Sequence, residues 1–229
     1  MNSNKDPDAE LLVAIGATVR VKRTALGLSQ KGFAEKSNLH ATYVSELEKG
    51  ARNLSVKALS QIATALNLTV SELFALAEAT AKAFANPMTI LLVEDNKPDV
   101  HLIEQALMRK IPAPHCHVVA DGATALQFLK RKGEFKKSPV PDLIILDLNL
   151  PKKSGSEVLA ELKADSKLKN IPVVIFSTSS ARDDIQKSYD LNANCFITKP
   201  EDVDEFFSTI STIHDYWFST VQLPSIGLK

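Results

Sequence analysis

Cysteine is scarce in this chain: two in 229 residues, Cys116 and Cys195. Both lie in or beside apolar runs that read as strands, so they count as small buried hydrophobes of a reducing compartment. A disulfide framework and a cysteine metal spacing are thereby excluded. Long apolar runs are missing too. No stretch reaches the roughly 18 apolar residues that a membrane helix needs. The first ten residues are polar and acidic and hold no signal-peptide core. The expectation is a cytoplasmic protein without a membrane partner. Neither sign of charge is in excess, since 27 Lys and Arg balance 27 Asp and Glu. Residues 1–87 hold 10 basic against 8 acidic side chains, and residues 88–229 hold 17 against 19. That asymmetry is too small to argue nucleic-acid binding by itself.

With 45% hydrophobic and 24% charged residues, the composition is that of ordinary folded protein, and the length suits two domains. The second half carries four short apolar runs: Ile90-Leu91-Leu92-Val93, Leu143-Ile144-Ile145-Leu146, Val173-Val174-Ile175-Phe176 and Cys195-Phe196-Ile197. Continuous apolar runs of this length read as parallel strands buried on both faces. Polar residues follow each run: Glu94-Asp95, Asp147, Ser177 and Lys199-Pro200. Residues at the carboxyl ends of such strands converge on one crevice. Three carboxylates, a hydroxyl and a lysine there describe a divalent-cation site beside a carboxylate nucleophile, the chemistry of an aspartyl phosphate.

These segments together resemble the receiver domain of two-component response regulators, over residues 88–222. The resemblance implies that Asp147 is the phosphoacceptor and that the cofactor is Mg²⁺. Asp95 and Asp147 would be direct ligands, Glu94 would act on the metal through water, and Asn149 would lend its backbone carbonyl. Ser177 would hydrogen-bond the phosphoryl group, Lys199 would pair with it, and Phe196 would be the switch aromatic. Mg²⁺ favours oxygen ligands and shares its shell with phosphate. The strings DLNLPKKSG, STSSARDDIQKSYDLNANCFITKP and DYWFSTVQLP are similar to regulators partnered with bacterial phytochrome kinases. The implied partner is a sensor histidine kinase, with the phytochrome type the one these strings point to.

Residues 10–76 read as short helices. Ser29 caps a helix through Lys36, and Ser37-Asn38-Leu39 makes a tight turn in which Asn38 tolerates positive φ. A helix from about His40 to Lys49 follows, then one capped by Ser55, then one starting at Ser71 with Glu72 in its first turn. The stretch LGLSQKGFAEKSNLHATYVSELEKGARNLS resembles the Cro/repressor-type (Xre) helix-turn-helix family. That family places its second helix in the major groove of double-stranded DNA. The resemblance makes Thr42 and Glu46, with Ala41 beside them, the candidates for base edges. Gln30, Lys31, His40, Tyr43, Arg52 and Asn53 match phosphate-contact positions. Arg23 is expected to pair with Glu48.

The expected division is 1–70 helix-turn-helix domain, 71–87 helical linker and 88–229 receiver. The linker reads equally as a dimer-coupling helix, with Leu73, Leu76, Thr80 and Ala83 along it, or as a solvated spacer. The fold class is an all-α domain joined to a doubly wound α/β domain with five parallel strands. A long last helix, about Glu201–Val221, carries Val203, Phe206, Phe207, Ile210, Ile213, Trp217 and Val221 at helical spacing. Its aromatic surplus points to a homodimer interface of Phe206, Trp217 and Phe218, with Phe196 beside it. The functional expectation is a phosphorylation-controlled transcription factor on an inverted repeat, not an enzyme beyond its own phosphoryl chemistry. The alternatives are a phosphorelay or protein-interaction module, and a constitutive DNA binder whose receiver only dimerises.

Overall fold

A computed structural model describes residues 7–224. The chain divides into two compact units, residues 1–87 and 88–229, each with its own core.

The first unit is five helices: α1 (Pro7–Ala25), α2 (Gln30–Ser37), α3 (Ala41–Glu48), α4 (Val56–Ala65) and α5 (Val70–Ala85). Its core joins Ile15 and Val19 of α1, Phe33 and Ala34 of α2, Val44 and Leu47 of α3, Ile62 of α4 and Leu73 of α5. The Ser29 hydroxyl caps α2 by accepting from the Gly32 amide at 3.0 Å. Asn38 ends that helix at φ 53°, and the turn leads directly into α3. Its short polar side chain tolerates a left-handed conformation that most residues avoid. Gly16 lets α1 and α3 touch, because a Cβ there would lie 2.2 Å from the Leu47 carbonyl oxygen.

Two features differ from the sequence reading. The cap of α5 is Thr69, not Ser71: its hydroxyl accepts from the Glu72 amide at 3.1 Å, and the Glu72 carboxylate accepts from the Thr69 amide at 2.7 Å. This reciprocal box satisfies two otherwise orphaned donors, which Ser71 cannot do from inside the helix. The segment 71–87 is helical through Ala85 and belongs to the first unit. Leu73 and Ala77 are fully buried, and Thr80 hydrogen-bonds Thr18 of α1 at 3.0 Å.

The second unit is a parallel five-stranded sheet in the order β2-β1-β3-β4-β5. The strands are β1 (Thr89–Val93), β2 (His115–Val119), β3 (Leu143–Leu146), β4 (Val173–Ser177) and β5 (Cys195–Thr198). Helices α6 (Lys97–Met108) and α10 (Val203–Asp215) cover one face, while α7 (Gly122–Leu129) and α8 (Gly155–Ala164) cover the other. The remaining helix, α9 (Arg182–Asp190), precedes β5. Strand alternation sorts the core. Leu91, Val93, Ile144, Leu146 and Ile175 meet α7 and α8, whereas Ile90, Leu92, Leu143, Ile145, Val174 and Phe176 meet α6 and α10.

The end of the chain also departs from expectation. α10 stops at Asp215 and a π-helical turn, Tyr216–Thr220, follows. Phe206 is 3% exposed and packs edge-on against Phe176 at 5.2 Å between centroids. Its place in a dimer surface is therefore corrected: it is an intramolecular core residue. Trp217 and Phe218 are half-buried against the same core, and Phe218 meets the His214 ring at 5.1 Å. Phe196 does not lie beside this face. Alternation along β5 sends Cys195 and Ile197 towards α10 and Phe196 to the opposite side of the sheet.

Candidate functional site

Strand register builds the site. Val93 of β1 pairs with Leu146 of β3, so Glu94 and Asp147, the next residues of each chain segment, leave the sheet at the same edge. Ser177 of β4 pairs with Thr198 of β5, which puts Lys199 one residue beyond. The Asp147 amide donates to the Val93 carbonyl at 3.0 Å and the Lys199 amide to the Ser177 carbonyl at 2.8 Å, continuing the ladder past the strands. Behind Asp147 the chain must pass close to α8. Gly155 permits this, since a Cβ there would lie 2.0 Å from the Asp147 carbonyl oxygen.

The Asp147 carboxylate is held on both oxygens. Oδ1 accepts the Ser177 hydroxyl at 2.7 Å and the Asn149 amide at 3.2 Å. Oδ2 accepts the Lys199 ammonium at 2.8 Å. Lys199 Nζ also donates to Glu94 Oε2 at 2.6 Å and Asp99 Oδ2 at 2.8 Å, so its three protons meet three carboxylates. Glu94, Asp147, Ser177 and Lys199 are all buried, whereas Asp95 is exposed at the rim. Burial pushes the Glu94 carboxyl up, against the pull of Lys199, and Asp147 nearby pushes the same way. Burial would lower the Lys199 pKa, but hydrogen bonds to Asp147, Asp99 and Glu94 outweigh it and raise it.

Ligand oxygens of Glu94, Asp95 and Asp147 lie within 4.8 Å of one another. An all-carboxylate set of this size, half open to solvent, suits a hard divalent cation that keeps several waters. The chemistry of these residues therefore fits Mg²⁺. Asp99 is a site residue that the sequence reading missed. An acidic side chain in the first turn of a helix reads as a favourable partner for the helix dipole, so nothing local marked it as the third anchor of Lys199.

Phe196 stands apart from this cluster. Its ring is half-buried against the α7–α8 face, and its amide donates to the Tyr189 hydroxyl at 3.3 Å.

In the first unit, the other predicted residues lie on α2 and α3 and in the segments that flank α3. Gln30, Lys31, His40, Ala41, Thr42, Glu46, Arg52 and Asn53 are exposed, with Tyr43 half-buried. Thr42 and Glu46 are one helical turn apart and share the exposed face of α3. Four of these side chains, Gln30, Tyr43, Glu46 and Arg52, are engaged internally. Arg52 forms an ion pair with Glu46, and its guanidinium lies over the Tyr43 ring at 4.5 Å. Gln30 donates to Glu48 Oε2 at 2.8 Å, and Glu48 is clamped by Arg23 at 2.5 and 3.1 Å. Arg23 is thus structural, as its sequence position suggested.

Comparison with known proteins follows the same division. Residues 90–211 match the model of the response regulator receiver domain, and residues 19–73 match a helix-turn-helix model. Response regulator Rcp1 of Synechocystis sp. is 45% identical over 139 residues, covering 61% of this chain and 95% of that protein. Among solved structures, the phosphorylated cyanobacterial phytochrome response regulator RcpA is 49% identical, with a TM-score of 0.59, over 60% of this chain and 99% of that one. The Mn²⁺-bound form of Rcp1 gives the same TM-score, 0.59, at 45% identity, over 61% and 100% of the two chains. Among the described residues no single helix is long and apolar enough to cross a membrane.

Proposed function

From the premise that this chain belongs to the response regulator receiver family and carries a helix-turn-helix domain, we propose that it is a DNA-binding transcription regulator controlled by phosphorylation of Asp147. The observation that carries this reading is the convergence of the Ser177 hydroxyl and the Lys199 ammonium on the two oxygens of Asp147. A structural carboxylate needs neither a second carboxylate pair beside it nor an open rim.

An oxygen of Asp147 attacks the phosphorus of a phosphohistidine on the sensor kinase. The P–O bond forms as the P–N bond breaks, and the imidazole leaves. Mg²⁺, held by Asp95, Asp147 and the Asn149 carbonyl with Glu94 behind a water, would neutralise charge on the transferring group. Lys199 then exchanges its bond to the Asp147 oxygen for one to the phosphoryl group, and Ser177 turns its proton to another phosphoryl oxygen. These two shifts report phosphorylation to the loops after β4 and β5, with Phe196 the aromatic that follows them. Receiver proteins are mostly phosphoacceptors rather than enzymes, and this chain fits that description. RcpA is a phytochrome response regulator by name, which supports a phytochrome-type kinase as the phosphoryl source.

The exposed face of α3 reads double-stranded DNA, with Thr42 and Glu46 at base edges and Lys31, His40 and Asn53 at phosphates. The chain acts as a homodimer on an inverted repeat, since two-fold protein symmetry imposes operator symmetry. The test is labelling by a small phosphodonor combined with a gel shift on the protein's own upstream region. Asp147→Asn removes the nucleophile and Asp95→Ala a metal ligand, so both abolish labelling, and labelling changes the shift. Normal labelling of Asp147→Asn would overturn the assignment.

A further inference from the structure

The receiver unit carries a basic edge that phosphoryl chemistry does not use. After α7 the chain runs Lys130-Arg131-Lys132-Gly133-Glu134-Phe135-Lys136-Lys137, five cations against one carboxylate. The segment is not a loose tail. Residues 133–137 form a 3-10 turn, and the Phe135 ring packs against Phe128 of α7 at 5.5 Å. Arg131 and Gly133 take left-handed φ values of 50° and 61° on either side of Lys132. Beside it lies a depression of about 360 Å³ with an apolar floor of Leu129, Val140 and Leu168 and a charged rim that includes Lys132, Lys167 and Asp165.

The charges on this edge differ in how they are satisfied. Lys130 pairs with Glu161 at 2.9 Å. Lys132, Lys136, Lys137 and Lys167 are exposed and have no ion-pair partner among the described residues. Lys136 and Lys137 on the 3-10 turn, with Lys132 and Lys167 at the depression, are unneutralised cations of one sign, and such charges set up a local potential that attracts a polyanion. In the helical unit Arg20, Lys31, Lys36, Lys49, Lys57 and Lys82 are likewise exposed and have no ion-pair partner among the described residues. That unit has 10 basic against 8 acidic side chains, and Arg23 and Arg52 are tied to Glu48 and Glu46. Duplex binding draws much of its affinity from phosphate neutralisation, and the free lysines of the receiver edge can add to those of the helical unit.

We propose that the basic edge of Lys132, Lys136, Lys137 and Lys167 is a second, sequence-independent binding surface for the backbone phosphates of duplex DNA. This rests on the DNA-binding reading of the helix-turn-helix. Covalent linkage makes the second engagement effectively intramolecular once the first unit is bound, so weak phosphate pairs suffice.

The experiment is a salt titration of full-length protein on a labelled random-sequence duplex, read by anisotropy. The parent is compared with the triple variant K132Q/K136Q/K137Q, with Lys167→Gln, with Lys31→Gln in the helical unit, and with the control Lys187→Gln on α9. All of the substituted side chains are exposed, and circular dichroism checks that each variant folds. The slope of log affinity against log salt falls by about 0.9 for each phosphate that is no longer neutralised. The triple variant is expected to reduce the slope by about 2 to 3 and Lys167→Gln by up to about 1. An unchanged slope in both, while Lys31→Gln lowers it, would overturn the basic edge and leave the DNA reading intact. Failure of phosphoryl transfer from the kinase with unchanged duplex binding would reassign the edge to the kinase. Absence of duplex binding by the parent would remove both readings together.

Discussion

Lys199 neutralises three carboxylates at once, and this makes its removal informative about charge rather than shape. Lys199→Ala leaves Glu94, Asp99 and Asp147 facing one another without a cation, and breaking a buried ion pair in this way costs about 3–5 kcal/mol. A divalent cation held by Glu94, Asp95 and Asp147 would neutralise two of these three carboxylates. Magnesium is therefore expected to raise the melting temperature of Lys199→Ala by more than that of the parent. Thermal melts with and without magnesium check this, and equal gains would mean that the cation binds elsewhere. A second residue sets a pH limit. Burial lowers the pKa of His214, Lys110 adds to that, and Asp215 only partly offsets it. A histidine whose folded pKa is depressed resists protonation in the native state, so acid favours the unfolded chain. Its contribution is complete above the ordinary histidine value of about 6.5 and is lost as pH falls from there through the depressed folded value. Urea unfolding of the parent at about pH 7.5 and 5.5 will show lower stability at the acid value, and His214→Gln will flatten the difference.

Four of the five strands were legible because buried parallel strands leave a plain trace, apolar runs with no alternation, and a polar residue after each run marks the carboxyl edge; β2 (His115–Val119) is mostly not buried and leaves no such run. The crevice followed from topology alone. Three things were read less well, each for a physical reason. The Thr69 cap competed with Ser71, which has a similar intrinsic preference, and only the spacing Thr69 to Glu72 distinguishes them. Phe196 was placed by adjacency to α10, although strand parity sends it to the other face. The last helix was read as continuous to Val221, because sequence spacing does not show the π-helical turn Tyr216–Thr220 in which Trp217 and Phe218 are half-buried against the core. Asp99 gave no signal at all, since its partner Lys199 is 100 residues away. Close approaches of backbone are similarly hidden, and Gly16 is the test of one. Gly16→Ala forces a methyl against the Leu47 carbonyl, and overpacking of this kind costs about 1–3 kcal/mol. Denaturant melts will show the helical unit weakened while the receiver is unchanged. An unaltered midpoint would mean that α1 and α3 do not cross so closely.

Two units with separate cores do not by themselves make a switch. Control of DNA binding by phosphorylation requires a coupling free energy between the Asp147 site and the α3 face, and such coupling is reciprocal. If a phosphoryl mimic such as beryllium fluoride changes duplex affinity by some factor, the duplex must change the affinity for beryllium fluoride by the same factor. A regulator in which the receiver serves only as a dimer scaffold gives a factor of one in both directions. Useful couplings are typically about 5- to 150-fold, well above the error of a titration. The expected result is matching factors above about fivefold, measured by anisotropy for the duplex and by calorimetry for beryllium fluoride, at one salt concentration. The choice of salt matters because phosphate pairing steepens one titration and not the other. Lys199→Ala should retain duplex binding and bring both factors towards one, because it removes the ammonium that must leave Asp147 for the phosphoryl group. Two factors of one in the parent would assign the chain to constitutive DNA binding, whatever Asp147 accepts.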